Sequence, residues 1–207
     1  MLFPECFLQG YFTNKESVTN LAIKMASQEL SEILEFLSDL QVTIVVGFIE
    51  KSDAGCAGTE YYNTAVPIRG GRTIYIYRKS GLLDGEKDGF DPGRERPTFE
   101  VSGQIVGINI CYDLNFNTAV QPLVSKGARI LVCPCNNIMP FAKAERLKTA
   151  HDDIRAQRCR DKGILLVSSD VTGTRDGRIS YGPNAVIDPH GATVDQVPLM
   201  TEGMVVF

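Results

Sequence analysis

Apolar positions change their period several times along the chain. Between Glu16 and Leu40, Val18, Leu21, Ala22 and Met25 recur at helical spacing, and Ile33, Leu34 and Leu37 repeat it. The spacing slips near Ser27, which predicts two helical pieces with a break there. Val42 to Ile49 is a β-branched apolar run and predicts a buried strand. Thr64–Ile68 and Thr73–Tyr77 flank Gly70-Gly71 and predict a hairpin. Gln104–Ile110, Arg129–Val132, Ile164–Ser168 and Asn184–Ile187 predict further strands, and Met204–Phe207 the start of a last one. Helical patterns cover Asn117–Ser125 and Ala142–Asp161, and Phe3-Pro4-Glu5 reads as a strand end entering a loop. Strands alternate with helices and one hairpin interrupts them, which predicts a mixed α/β layered domain with some antiparallel pairing. With no repeat, low-complexity tract or linker in view, residues 1–207 are expected to form one domain.

Composition narrows the function classes. At 43% apolar and 22% charged residues the chain has enough apolar material for a substantial core. A net charge of −4 gives no reason to expect nucleic acid or an anionic membrane as partner. No apolar run approaches the ~20 residues that cross a bilayer, and the first residues carry no basic region followed by a long apolar stretch. Six cysteines, Cys6, Cys56, Cys111, Cys133, Cys135 and Cys159, in a chain of 207 residues without a secretory signal are expected to be reduced thiols in the cytoplasm.

Four segments carry candidate chemistry. Gly107 to Asp113 is an apolar strand that ends at Cys111 and passes into polar residues, so the thiol stands at a sheet edge with turn N–H groups beside it. Lys79 follows the Thr73–Tyr77 strand; a cation beside a thiol lowers its pKa and stabilises a tetrahedral anion. Glu5 follows an apolar pair and a proline, and a carboxylate set among apolar groups can move protons near neutrality. Glu86 to Gly93 is a polar, turn-rich loop. Taken singly, each also reads as an ordinary structural feature: a core thiol, a solvated lysine, a loop acid and a surface connection.

Together and in order, these segments resemble the nitrilase, or carbon–nitrogen hydrolase, superfamily. The match runs through Leu2-Phe3-Pro4-Glu5, Tyr77-Arg78-Lys79, Glu86 with Phe90 and Pro92-Gly93, and the Gly107 strand ending in Cys111-Tyr112-Asp113. Gly127 to Pro134, Ser168 to Gly173, Tyr181 to Asn184 and Asp188 to Gly191 resemble later parts of the family pattern. The resemblance implies a four-layer αββα sandwich. It implies Glu5 as general base, Cys111 as nucleophile, and Lys79 with the Tyr112 N–H as oxyanion donors. Glu86 would position the lysine and substrate, and Asn136 and Asn137 would fall on the pocket-side loop. It also implies a small amide or N-carbamoyl substrate, a homodimer or larger homo-oligomer, and no metal or organic cofactor. His151 and His190 are expected at the surface, and Cys133 and Cys135, two residues apart, as small residues lining or supporting the pocket.

The sequence departs from the family pattern in places. The usual first strand and helix ahead of the proline–glutamate motif are missing, and the chain stops inside an apparent strand, so the fold is expected to be shortened at both ends. Gly81 stands where the family often has histidine, and Arg158 to Lys162 replaces an arginine-alanine-x-glutamate-asparagine run. Two other readings therefore stand beside the hydrolase: a truncated, catalytically weak or inactive relative acting as a binding protein, and an unrelated Cys-His hydrolase.

Overall fold

The computed structural model describes residues 1–53, 58–148 and 150–206. Cys56 and Phe207 lie outside them. Helix α1 (Lys15–Leu21) opens on Asn14, whose side chain accepts from the Ser17 N–H, and helix α2 (Gln28–Phe36) opens on Ser27, which caps Leu30. The break near Ser27 is thus the start signal of a second helix. Between the two, Ile23 makes a parallel bridge to Glu50.

Strand β1 (Ile44–Asp53) pairs antiparallel with β2 (Thr59–Arg69) from Ile44↔Ile68 to Asp53↔Thr59. The Gly70-Gly71 turn, with φ of 55° and 68°, returns the chain to β3 (Arg72–Thr73). The single strand expected over Thr73–Tyr77 is instead interrupted. Pairing resumes at β4 (Tyr77–Arg78) with the register slipped by one residue, opposite the stretch where Pro67 has no N–H to give the ladder.

The second sheet begins with the hairpin of β5 (Thr98–Val101) and β6 (Gln104–Ile108), followed by α3 (Asn117–Ser125) and β7 (Ile130–Pro134). After the short β8 (Met139–Pro140), the helix expected over Ala142–Asp161 is found as two, α4 (Phe141–Leu147) and α5 (Ala150–Lys162). Strands β9 (Leu165–Ser169), β10 (Thr172–Arg175), β11 (Arg178–Tyr181), β12 (Ala185–Ile187) and β13 (Thr193–Gln196) complete the chain. The sheet order is β13-β12-β9-β7-β6-β5, parallel across β6, β7 and β9, while β8, β11 and β10 form a separate ribbon. The strand expected from Met204 is not formed over its described residues.

Three apolar interfaces stack these elements. Leu30 of α2 packs on Val46, Phe48, Val66 and Ile68 of the first sheet. Val45, Ala65 and Tyr77 from that sheet meet Phe99, Val106 and Ile108 of the second. On the far face, Val120 and Leu123 of α3 and Cys159 of α5 cover Leu131, Cys133, Leu166 and Ile187. The result is a four-layer αββα sandwich. A cleft of about 890 Å³ opens between the two sheets, lined by Leu2, Phe3, Val45, Phe99, Val132 and Val205 among others. There the chain start is held by one parallel bridge, Leu2↔Val45. No helix among the described residues is long and apolar enough to cross a membrane.

Asp113, fully buried, ties the two sheets together at one end. Its carboxylate accepts from the Tyr77 hydroxyl at 2.8 Å, the Ser80 and Gly81 N–H groups at 3.1 and 2.7 Å, the Ser80 hydroxyl at 2.7 Å and the Ile110 N–H at 3.0 Å. Tyr77→Phe removes one of five donors and leaves the acceptor satisfied, so it is expected to cost about 1 kcal/mol. Asp113→Ala strands several buried donors and is expected to cost about 3 kcal/mol or more. Urea unfolding midpoints at constant m-value check the ranking, and equal losses would contradict it.

Candidate active site

Glu5, Cys111 and the pair Lys79 and Glu86, the last two seven residues apart, come from three distant segments and meet at the end of the sandwich that Asp113 secures. Lys79 lies two residues beyond Tyr77, so it continues the inward face of β4. Its backbone is pinned on both sides: its N–H donates to Asn63 O, and its carbonyl accepts from the Gly93 N–H, both at 2.8 Å. The stretch from Ser80 to Pro92 therefore leaves and returns at one peptide. Glu86 sits in this stretch, on a 3-10 turn over Asp84–Glu86.

The Lys79 side chain is buried. Its Nζ donates to Glu5 Oε1 at 2.8 Å and to Glu86 Oε1 at 2.6 Å. Burial works against its charge, but Glu5, Cys111 and Glu86 outweigh it and hold the ammonium protonated, well above the usual lysine range. Glu86 Oε2 is spent on the Leu83 N–H at 2.7 Å. Glu5 Oε1 also accepts from Asn63 Nδ2 at 2.7 Å, whereas its Oε2 has no partner among the described residues. Burial, opposed by Lys79 and reinforced by Glu86, pushes the Glu5 carboxyl up to about 7. One oxygen of this group is thus anchored, and the other is free to exchange a proton near neutrality.

Cys111 follows β6 and begins a 3-10 turn over Cys111–Asn115, with φ of 47°, a left-handed backbone unusual for a side chain larger than glycine. Asp113 braces the near side of this turn. Arg158 of α5 braces the far side, donating to Leu114 O at 3.0 Å and Asn115 O at 3.3 Å. Tyr112 stacks edge-on with Phe116 at 5.0 Å, and its N–H falls in the unpaired first turn. The part-exposed Cys111 thiol contacts Asn137 Oδ1 at 3.8 Å. Its hydrogen bond to Cys135, then burial and Glu5, hold it well above the usual thiol range against the pull of Lys79. At rest it therefore carries its proton.

The neighbouring asparagines divide their work. Asn136 Oδ1 accepts from the Ile138 N–H at 3.4 Å and so shapes the loop, while Asn137 faces the thiol. Asn137 is fixed in turn by buried Asp170, which accepts from both its backbone and its side chain. Sequence patterning did not single out Asp170 or Tyr11, whose ring centroid lies 5.9 Å from Lys79 Nζ. His151, expected at the surface, is half-buried beside Asn137, Met139 and Pro183, and burial pushes it down to about 4. His190 is exposed, as expected. Among the described residues neither histidine is a hydrogen-bond partner of the Cys111 thiol, beside which lie Asn137, Cys135, Glu5 and Lys79. Gly81 has no room for a side chain: a Cβ there would stand 2.7 Å from the Phe116 ring. The large cleft between the sheets is lined by none of Glu5, Lys79 or Cys111.

Lys79→Met would leave two carboxylates buried without their cation and is expected to cost about 3–5 kcal/mol at neutral pH. Glu5 would then rise further above its ordinary value, so the folded state would bind protons that the unfolded state releases. Stability of the variant should therefore fall as pH rises from about 4.5 through neutrality. Denaturant midpoints at pH 5 and pH 8 test this; a deficit that shrinks toward pH 8 would contradict it.

Comparison with known proteins bears on the family and the fold. The carbon-nitrogen hydrolase family model matches residues 1–207. An (R)-stereoselective amidase from Pseudomonas sp is 26% identical over 92% of this chain and 66% of its own length. A nitrilase from Pyrococcus abyssi is 30% identical over 91% of this chain and 68% of its own. The chain thus spans about two thirds of these relatives. A carbon-nitrogen hydrolase structure from Helicobacter pylori G27 superposes with a TM-score of 0.84 at 21% identity, covering 97% of this chain and 74% of that one. The chain belongs to the carbon-nitrogen hydrolase family, within the nitrilase superfamily.

Proposed function

We propose that this hydrolase cleaves the C–N bond of a small linear amide or N-carbamoyl compound through a thioester on Cys111. The observation that carries the reading is the buried Lys79 ammonium held between Glu5 and Glu86, with Glu5 Oε2 left unpartnered. Glu5 takes the thiol proton, and the sulfur attacks the carbonyl carbon. An ammonium has three N–H donors, two of them spent on Glu5 and Glu86, so the third is available to the developing oxyanion together with the Tyr112 N–H. Glu5 returns its proton to the leaving nitrogen as ammonia or an amine departs. It then takes a proton from the water that hydrolyses the thioester. Glu86 holds Lys79, and Asn137, rather than Asn136, lies where it can meet substrate. The same reading takes the protein as a cytoplasmic homo-oligomer, for which exposed Phe36 and Phe141 offer apolar surface.

Release of ammonia or amine across a panel of amides, carbamoyl amino acids and nitriles tests the substrate class, with amides or carbamoyl compounds expected to lead. A nitrile turned over faster than every amide would overturn the amidase assignment. Cys111→Ala should abolish turnover. Because Glu5 must be unprotonated to act, kcat/KM should rise with pH through about 7. Glu5→Gln should lower it by about 10²–10⁴-fold and remove that rise. An unchanged profile in Glu5→Gln would remove Glu5 from the mechanism.

A further inference from the structure

Behind Cys111 lies a chain of buried polar groups that takes no proton in the hydrolytic steps. Asp170 stands in the loop between β9 and β10. Its Oδ1 accepts from the Asn137 N–H at 3.0 Å and the Val171 N–H at 2.9 Å, and its Oδ2 accepts from Asn137 Nδ2. The Asp170 N–H donates in turn to Asn184 Oδ1. Buried Arg155 of α5 sets its Nη2 3.8 Å from Asp170 Oδ2, and is anchored by donating from Nη1 to Pro183 O. Asn137, at the near end of this chain, is the residue whose side chain meets the Cys111 thiol.

These contacts decide which way round the Asn137 amide lies. Two backbone N–H groups occupy Asp170 Oδ1, so a proton on this carboxyl would have to sit on Oδ2, against the Arg155 guanidinium. Burial raises the carboxyl above the usual aspartate range, and Arg155 with the N–H donors of Asn137 and Val171 holds that rise back. A carboxylate can only accept. Asp170 therefore takes the NH2 side of the Asn137 amide, and the amide oxygen is left facing Cys111, whose thiol donates to it at 3.8 Å. The site shows an acceptor at this point and not a donor.

We propose that Asn137 Oδ1 selects substrates that carry an N–H on the carbon Cys111 attacks, and that Asp170 is the positioning residue that keeps the amide turned that way; this rests on the hydrolase reading and names what its substrate must present. Before reaction the partner of Oδ1 is the Cys111 S–H. When the sulfur attacks, that proton passes to Glu5, and the substrate nitrogen comes to lie two bonds from the sulfur. Its N–H then replaces the S–H at the same oxygen. Amides and carbamoyl compounds bring such an N–H. An ester of the same acid brings none and leaves Oδ1 facing the reacting sulfur without a donor. A site built around a substrate N–H rejects the analogue that lacks it, because the acceptor is then unpaired. The alternative is that Asp170 and Asn137 only pin the loop after β7.

Matched probes that share an acyl group test this on the full chain: propionamide with p-nitrophenyl propionate, and butyramide with p-nitrophenyl butyrate. The esters are activated enough to acylate a reactive thiol, so both members of a pair can be followed. The quantity read is the amide-to-ester ratio of kcat/KM, which cancels the intrinsic difference between the two bonds when one protein is compared with another. Asn137→Ala should lower that ratio by about 10–100-fold. Asp170→Asn is isosteric but sets an NH2 group where Oδ2 accepted, so the Asn137 amide should turn over and the ratio should fall by about 10-fold or more. Ester turnover reports the fold of each variant, and Asn137→Ala, at a part-exposed position, carries the test if Asp170→Asn does not fold. If the unsubstituted protein cleaves neither amide, the hydrolase reading falls and this inference with it. If it cleaves them and the ratio in Asn137→Ala stays within about threefold of its original value, the inference is overturned while the hydrolase reading stands.

Discussion

A buried ammonium between two carboxylates sets the terms for the rest of this molecule. Taking Lys79 out of water is tolerable only because Glu5 and Glu86 meet it within hydrogen-bond distance, and each acid is itself held elsewhere, by Asn63 and by the Leu83 N–H. That demand explains much of the architecture around it. The slip in register before β4, the closed stretch from Ser80 to Pro92 and the early turn after Pro4 all bring a charge to the same dry point. Glu5 ends with a proton affinity far from that of an ordinary glutamate because burial penalises its charge more than Lys79 relieves it, and Glu86 adds to the penalty.

Asp113 plays the complementary part for the Cys111 thiol. It gathers donors from the β4 side and from the Cys111 turn, so the same carboxylate that joins the sheets also fixes where the sulfur points. Arg158 closes that turn from the α5 side. The position of the thiol is thus a property of the backbone and its braces more than of a rotamer choice.

Much of this was legible in the chain. The apolar run read over Val42–Ile49 becomes a buried strand from Ile44 onward, with Val42 left exposed ahead of it, and α3 ends where its pattern does. Glu5, Lys79, Glu86 and Cys111 stood out only as an ordered set, since each alone has a commoner structural role. What patterning missed has identifiable causes. Ser102-Gly103 and Asp176-Gly177 mark the turns of β5–β6 and β10–β11, with positive φ at all four residues, but their strands are too short to show a period. The split between α4 and α5 falls in a continuously helical composition. Asp170 and Arg155 look like surface charges in one dimension, and only the loop between β9 and β10 and the face of α5 reveal that both are buried. Asn137 rather than Asn136 turns to the thiol because adjacent residues in an irregular loop project differently, which no spacing rule anticipates.

The left-handed backbone at Cys111 makes residue 111 a place where folding and reactivity pull apart. Glycine would take that conformation without strain, and asparagine with little, whereas cysteine holds it only because its neighbours insist. On the proposed mechanism, drift toward a sturdier fold at this position would run directly toward an inert protein. The thiol therefore sits there at a standing cost in conformational comfort, met by the braces on either side of the turn.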